Sequence, residues 1–321
     1  MSAAVSTHRI TRLCIVRHGE TAGNAEHRVQ GQLDVPLSAV GQAQALALSK
    51  VLAAEEFSAI YSSDLSRARQ TAAPVANLLS MRVNLEKDLR ERHYGIFQRL
   101  TYAEALGELC ESLVFVGGCA SGLLLTSVRA NAIRVTQDVD VVAKVATLRD
   151  YHAIEAAVAA RGFAHDVSAS APICRWVRDG ILLDLMPSEA GILGFHKRWY
   201  PLAAATASRV ALPSGRQIRL IAAPAFIATK IEAFKGRGRE DYLASHDLED
   251  IVTVVDGRAA LLDEARQSPA ALRRYLAEEI GRLLASDGFA VSLAGHLPGD
   301  AISQVRLGSV IVRLRELSNI G

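Results

Sequence analysis

The sequence predicts an α/β protein built in two pieces. Three observations carry this reading. Short apolar runs alternate with longer segments of helical spacing, the pattern of strands and helices in turn. The chain has 321 residues, too many for one ordinary domain and comfortable for two. The pattern changes register around residues 100–112, which places a boundary between residues 1–107 and 108–321.

The elements follow in order. Residues 12–17 read as a short buried strand, and a polar stretch from His18 to Pro36 follows it. Ser38 opens a helical pattern through Ala54, with Ala43, Leu46, Ala47, Val51 and Leu52 at helical spacing. Phe57 to Tyr61 is a second strand, Asp64 to Leu79 a helix and Met81 to Leu85 a third strand. Beyond the boundary, Leu113 to Val116 is a strand that runs into Gly117-Gly118 and a helix. Val139 to Ala143 is a strand, and Leu148 to Arg161 is a helix ended by Gly162. Ile173 to Val177 and Gly180 to Leu185 alternate like a hairpin around the turn Asp179-Gly180. Ile218 to Ile221 is a strand, and Pro224 to Lys235 and Leu248 to Val255 are helices. Ser268 and Pro269 are expected to cap a helix that runs to Leu284, one of several late helices forming a supporting bundle.

Composition excludes several classes. Half the residues are apolar and 22% are charged, so the chain is neither disordered nor of low complexity. Residues 1–107 carry 12 basic and 10 acidic side chains, leaving 24 of each in residues 108–321. The net charge of +2 therefore belongs to the first piece, and any polyanion must be met by a local patch. Cys14, Cys110, Cys119 and Cys174 form no metal-finger spacing and sit in apolar company. They read as buried free thiols suited to a reducing compartment. The opening MSAAVSTHRITRL has no signal-peptide apolar core. The run Leu113 to Leu125 is broken by three glycines and is too short to span a bilayer. A soluble, cytoplasmic protein without membrane contact is expected.

Two constellations carry chemistry. In the first, Arg17-His18-Gly19-Glu20-Thr21 and Asn24 follow a strand at the top of an α/β sheet, where ligands usually bind. Arg17 supplies a fork for phosphate oxygens. Three more blocks follow: Gln30 to Ser38, Tyr61 to Ala72 and Leu89 to Gly95. Together they resemble the signature of the histidine phosphatase and cofactor-dependent phosphoglycerate mutase superfamily. The resemblance implies that His18 attacks phosphorus as a neutral imidazole and carries the phosphoryl group. Arg17 and Arg67 would neutralise the equatorial oxygens. Glu91 would donate and accept the leaving-group proton. The family's second histidine, in a VSHG-like strand end, has no counterpart block here, and the basic pair that binds phosphoglycerate is missing. His296 in Leu293-Ala294-Gly295-His296 is only vaguely similar. The resemblance stops near residue 106, which implies a truncated open sheet and an inactive phosphatase-like half.

The second constellation begins at Gly117-Gly118, whose N–H groups can face a phosphate. Asp138 and Asp140, two apart on a strand, point to the same side and repel unless a cation sits between them. Asp184 closes the strand Ile181-Leu182-Leu183 in apolar surroundings, where an unpaired carboxylate is costly. Hard oxygen ligands of this kind suit Mg²⁺. In this order the motifs resemble the nucleotidyltransferase superfamily. Val116 to Ala120, Arg134 to Val142, Ala228 to Phe234 and His246 to Ile251 look like the AbiEii-type toxin nucleotidyltransferases. Cys119 departs from the Ser or Thr usual after the glycine pair, and Ser121 or backbone groups are the expected substitutes.

That resemblance covers about residues 108–300. It implies a nucleotidyltransferase-type α/β domain with C-terminal helices, acting with one or two Mg²⁺ ions on a nucleoside triphosphate. Asp138, Asp140 and Asp184 would hold the metal and act in catalysis. Gly117, Gly118, Lys230 and Asp247 would bind the nucleotide, with Asp247 and Asp250 on one helix face orienting either Lys230 or the ligand. Lys230 also reads as a solvated helix residue, and the run Lys235 to Arg239 as a basic loop or a phosphate-tracking one. His196 to Tyr200 mixes basic and aromatic residues, as a nucleotide-stacking surface does, and reads also as an ordinary loop with an anchoring Trp199, while Arg175-Trp176 reads as core packing with a snorkelling arginine. The expected activity is nucleotidyl transfer to an RNA or tRNA end, a protein side chain or a small molecule. The alternatives are phosphoryl transfer through His18 and a non-catalytic, toxin-like nucleotide-binding module held by an antitoxin protein.

Overall fold

The computed structural model describes residues 12–25, 28, 30–91, 106–126, 138–169, 171–178, 181–194, 197–212, 216–237, 241–297 and 304–321. The chain divides into two compact units, Met1–Thr101 and Tyr102–Gly321. The hairpin turn at residues 179–180, His196, and Gly238 and Arg239 of the basic run lie outside the described residues.

In the first unit a short helix α1 (Ala22–Ala25) precedes α2 (Ala39–Leu52). Ser38 caps α2, its Oγ accepting from the Gly41 N–H at 3.1 Å. Strand β1 (Ile60–Ser62), helix α3 (Ser66–Leu78) and strand β2 (Val83–Leu85) then form a βαβ crossover, with β1 and β2 paired in parallel. The segment 12–17, predicted as a strand, joins no ladder. The reason is the want of a neighbour: among the described residues of this unit β1 and β2 pair only with each other. Leu13 and Ile15 are accordingly 79% and 91% exposed. Cys14 on the same segment is exposed too, against expectation, whereas Cys110 and Cys174 are buried and Cys119 is half-buried.

The second unit holds a seven-stranded sheet. Its strands in chain order are β3 (Leu113–Val116), β4 (Asp138–Ala143), β5 (Ala164–His165), β6 (Arg175–Arg178), β7 (Ile181–Pro187), β8 (Ser208–Ala211) and β9 (Gln217–Leu220). The spatial order is β5-β6-β7-β4-β3-β9-β8. β4 lies parallel to β7 and antiparallel to β3, and β6 lies antiparallel to β7. All four side chains of β3 are buried, each worth about 1.5–3 kcal/mol of transfer from water. The continuous apolar run of β3 fits a central position, covered on both faces.

Helix α4 (Gly117–Ser121) follows β3, and α5 (Leu148–Ala159) follows β4. Thr147 and Asp150 make a capping box at the start of α5. α6 (Tyr200–Thr206) precedes β8. Later helices follow the sheet, among them α7 (Ala223–Arg237), α8 (His246–Gly257), α9 (Leu261–Gln267), α10 (Ala270–Leu284), α11 (Asp287–Ser292) and α12 (Leu307–Leu317). α7, α8, α10 and α12 pack on one another as the expected bundle. Ser268 does not cap α10. Its Oγ donates back to the Glu264 carbonyl at 2.9 Å, and Pro269 takes the cap position. No described helix is long and apolar enough to cross a membrane.

Candidate functional site

The site of the first unit is built around His18. Gly19 follows it because the backbone passes close to α2: a Cβ on Gly19 would lie 2.6 Å from the Gly41 carbonyl oxygen, and one on Gly41 would lie 2.0 Å from that of Glu20. Ser38 fastens this contact. Its N–H donates to the Glu20 carbonyl at 2.8 Å and its hydroxyl to the Glu20 carboxylate at 2.7 Å. The Gly19 N–H in turn donates to Thr71 Oγ1 of α3 at 3.0 Å.

The ring itself is held at both nitrogens. Nδ1 lies 2.7 Å from the Gly19 carbonyl oxygen, so that nitrogen is the donor. Nε2 is then unprotonated and accepts from Arg67 Nε at 3.2 Å. Arg67 is buried on the first turn of α3. Its two terminal nitrogens donate to the carbonyls of Leu33 at 2.8 Å and Gly31 at 2.7 Å. Gly31 has φ +51°, the left-handed conformation that turns its carbonyl into this cradle. Burial pushes the His18 pKa down. The cations Arg67 and Arg17 push it further, against the Gly19 hydrogen bond and the Glu91 charge. Glu91 also acts electrostatically on Arg17 and Arg67. The four residues expected here therefore share one electrostatic site. His18 is the sole histidine among the described residues of this unit. His296 belongs to the second unit, where its Nε2 meets the Tyr242 carbonyl at 2.7 Å.

In the second unit Asp138 and Asp140 stand on β4 as expected, and Asp184 pairs directly with Asp140 across the parallel β4–β7 ladder. Asp184 lies within β7 rather than at its end, since the strand continues to Pro187. Gly117 has φ +61°, and a Cβ there would lie 1.9 Å from Asp140 Oδ2, so only glycine fits. Burial holds the Asp140 carboxyl up to about 7. Asp138 and Asp184 add to the rise, and Lys230 and Arg237 oppose it.

Several expected roles change. Asp184 is not left for a metal. Arg175 donates from Nε to Asp184 Oδ1 and from Nη2 to Oδ2, each at 2.7 Å, and Nη2 also reaches Asp138 Oδ2 at 3.1 Å. Among the described residues no group of three His, Cys, Asp or Glu side chains is arranged to hold a metal ion. Where one or two Mg²⁺ ions were expected to offset the carboxylates, an arginine supplies positive charge to Asp184 and Asp138. Lys230, expected at a triphosphate, is buried instead. Its ammonium pairs with Asp250 at 2.6 Å and Asp247 at 3.2 Å. Arg237 forks onto Asp247 at 2.9 and 3.0 Å, and Lys235 meets Glu279 at 2.9 Å. Asp247 thus serves the lysine and the arginine. Cys119 Sγ donates to the Val116 carbonyl at 3.0 Å, and the Ser121 hydroxyl to that of Gly118 at 2.8 Å, so neither is offered to a phosphate. Gly118 is buried in α4. Trp199 is buried as an anchor, with Arg198 stacked over it and over Tyr275 at 4.8 and 4.9 Å.

Residues 13–115 match the histidine phosphatase superfamily (branch 1). The chain is similar to phosphoglycerate mutase-like protein 4 of Arabidopsis thaliana, 46% identical over 29% of this chain and 41% of the relative. It is 43% identical to the glucosyl-3-phosphoglycerate phosphatase of Mycobacterium tuberculosis, over 30% of this chain and 43% of the relative. It is 44% identical to a metal-independent phosphoserine phosphatase of Arabidopsis thaliana, over 30% and 41%. A solved Entamoeba histolytica phosphoserine phosphatase in complex with 3-phosphoglyceric acid is 32% identical, over 29% of this chain and 46% of that one, with a TM-score of 0.27. The chain spans about two fifths of the length of the curated relatives it matches. The superfamily match ends ahead of Asp138, Asp140 and Asp184. The superfamily match and the curated relatives support the phosphatase-like reading, expected as the alternative, and lend nothing to the nucleotidyltransferase reading expected first.

Proposed function

We propose that the chain performs phosphoryl transfer through His18 on a small phosphate monoester. The observation that carries this is the double restraint on the imidazole, with Nδ1 on the Gly19 carbonyl and Nε2 facing Arg67. Neutral Nε2 attacks phosphorus, the P–N bond forms and the P–O bond to the leaving group breaks. Arg17 and Arg67 meet the charge on the equatorial oxygens. Glu91 protonates the leaving oxygen and then takes a proton from the water that hydrolyses the phosphohistidine. The relatives' substrates are acids bearing a phosphate ester, and a ligand of that kind is the first to test.

The test is alkaline-quench trapping of the enzyme after mixing with a ³²P-labelled phosphate monoester. Wild type is expected to carry base-stable, acid-labile label that His18→Ala lacks. Equal labelling of the two proteins would sink the reading.

Nucleotidyl transfer at the acid cluster is the second reading. It is favoured by the convergence of Asp140 and Asp184 beside the Gly117 turn. Labelled nucleoside triphosphates offered with tRNA and other acceptors should distinguish wild type from Asp138→Ala/Asp140→Ala. Identical behaviour removes this reading, and calorimetric nucleotide binding without turnover would leave the non-catalytic module.

A further inference from the structure

Helix α3 reaches the His18 loop from two successive turns. Arg67 and Thr71 stand four residues apart, so they share one helix face, and both are buried. Arg67 Nε donates to the ring at Nε2. Thr71 grips the backbone beside the ring: the Gly19 N–H donates to its Oγ1 at 3.0 Å. The hydroxyl proton is committed elsewhere, since Oγ1 donates to the Arg67 carbonyl at 2.8 Å. That bond fixes the hydroxyl rotor and leaves the oxygen lone pairs to the Gly19 N–H. A helical threonine commonly bonds the carbonyl four residues back. The second bond, to a residue 52 positions away, is the one that ties the histidine loop to this helix.

We propose that Thr71 is a positioning residue for the His18 nucleophile: its hydroxyl sets the His18–Gly19 peptide so that the Gly19 carbonyl meets Nδ1 while Nε2 meets Arg67. The peptide that Thr71 holds is the one that leaves His18. The carbonyl it steers lies one residue further on, 2.7 Å from Nδ1. Glycine is required at position 19 by the close approach of Gly41, and it leaves the backbone there free to turn. The Gly41 contact limits that turning by exclusion alone, whereas a hydrogen bond fixes a direction. The next hold along the loop, from the Glu20 N–H to Gln44 Oε1 at 2.8 Å, is exposed, so water competes for it. The Thr71 bond is buried, and its loss leaves the Gly19 N–H without that partner away from solvent. One turn of helix is rigid, so Arg67 and Thr71 set both ring nitrogens in a single frame. The effect on rate rests on phosphoryl transfer through His18; the tautomer of the ring does not.

The test labels the full chain with ¹⁵N-histidine and reads the ring nitrogens by nuclear magnetic resonance where the ring is neutral, with the His18 signals assigned by their loss in His18→Ala. Phosphohistidine formation is followed beside it by rapid alkaline quench. Wild type is expected to show His18 as the Nδ1–H tautomer. Thr71→Val loses the hydroxyl at similar volume. It is expected to show mixed tautomers and to form phosphohistidine roughly tenfold more slowly. Thr71→Ser returns the hydroxyl and should restore both. An Nδ1–H signal unchanged in Thr71→Val overturns the proposal, as does an unchanged rate where wild type takes label, or a loss that Thr71→Ser fails to reverse. Should Thr71→Val not fold, amide exchange in wild type decides: the Gly19 N–H is expected to be protected well beyond that of Glu20, and equal exchange has the same adverse meaning. Wild type that takes no label, with a tautomer that Thr71→Val still scrambles, defeats phosphoryl transfer and upholds the positioning role.

Discussion

The imidazole of His18 and the guanidinium of Arg175 illustrate how much depends on a single side chain's partners. At His18 the Nε2 lone pair points at a cation that is itself buried and fixed by two backbone carbonyls. Burial and the two arginines lower the ring's pKa from its usual 6.5. The sign of the consequence follows: the neutral, nucleophilic ring persists to lower pH than an ordinary histidine. Phosphohistidine formation is therefore expected to fall on the acid side with a midpoint below 6.5, and Arg67→Met should move that midpoint upward by removing a cation. Rapid-quench labelling across pH 4–8 checks this, and a midpoint above 6.5 in wild type would contradict it. His18, Arg17, Arg67 and Glu91 were all legible in the sequence because their blocks are local. The carbonyls of Gly31 and Leu33 that hold Arg67 were not, because a backbone oxygen carries no residue-type signal.

At the scale of elements, helices α7 and α8 are joined by a buried charge set. Lys230 of α7 faces Asp247 and Asp250 of α8, with side-chain exposures of 6%, 6% and 2%. Burial alone would push the lysine pKa down. The two aspartates reverse this, and the net shift is upward. Breaking a buried pair by deleting one partner leaves an uncompensated charge and typically costs about 3–5 kcal/mol. Lys230→Met is thus expected to lower unfolding stability by about 3 kcal/mol or more in urea titration. Lys230→Met/Asp250→Asn should recover part of that loss. A change under about 1 kcal/mol in the single variant would show the pair to be dispensable.

The i, i+3 spacing of Asp247 and Asp250 already allowed them to orient Lys230, but only the packing of α7 on α8 decides between lysine and ligand. The Arg175–Asp184 pair was closer to legible. β6 and β7 pair antiparallel with Arg178 opposite Ile181 and therefore Arg175 opposite Asp184. The alternation in the sequence predicts the two strands, but the charge pairing follows only from their register, and an arginine stands where the carboxylates suggest a metal. Strand β8 and helix α6 were missed because their short, mixed sequences lack a clear period of either kind.

The two units differ in how much sheet each holds. Residues 102–321 own a seven-stranded sheet whose central strands β3, β4 and β7 are buried among helices. Described residues of the first unit contribute one two-stranded ladder of three residues a side, and a segment outside any ladder whose Leu13 and Ile15 stand exposed. Two paired strands with an uncovered apolar neighbour are marginal on their own, whereas three or more with a buried face are self-supporting. The match to only about two fifths of each curated relative agrees with that difference. The sequence's imbalance was visible in where the phosphatase-like blocks stop, but the missing cover is a property of strand pairing. Produced separately, residues 102–321 are expected to unfold in one cooperative urea transition by circular dichroism, with a slope suited to their buried area. Residues 1–101 are expected to change signal gradually, with no plateau. A sigmoidal transition from residues 1–101 would mean that the His18 cradle, the Gly19–Gly41 contact and the α2–α3 packing suffice to hold a fold. Phosphoryl transfer would then be testable on that unit alone.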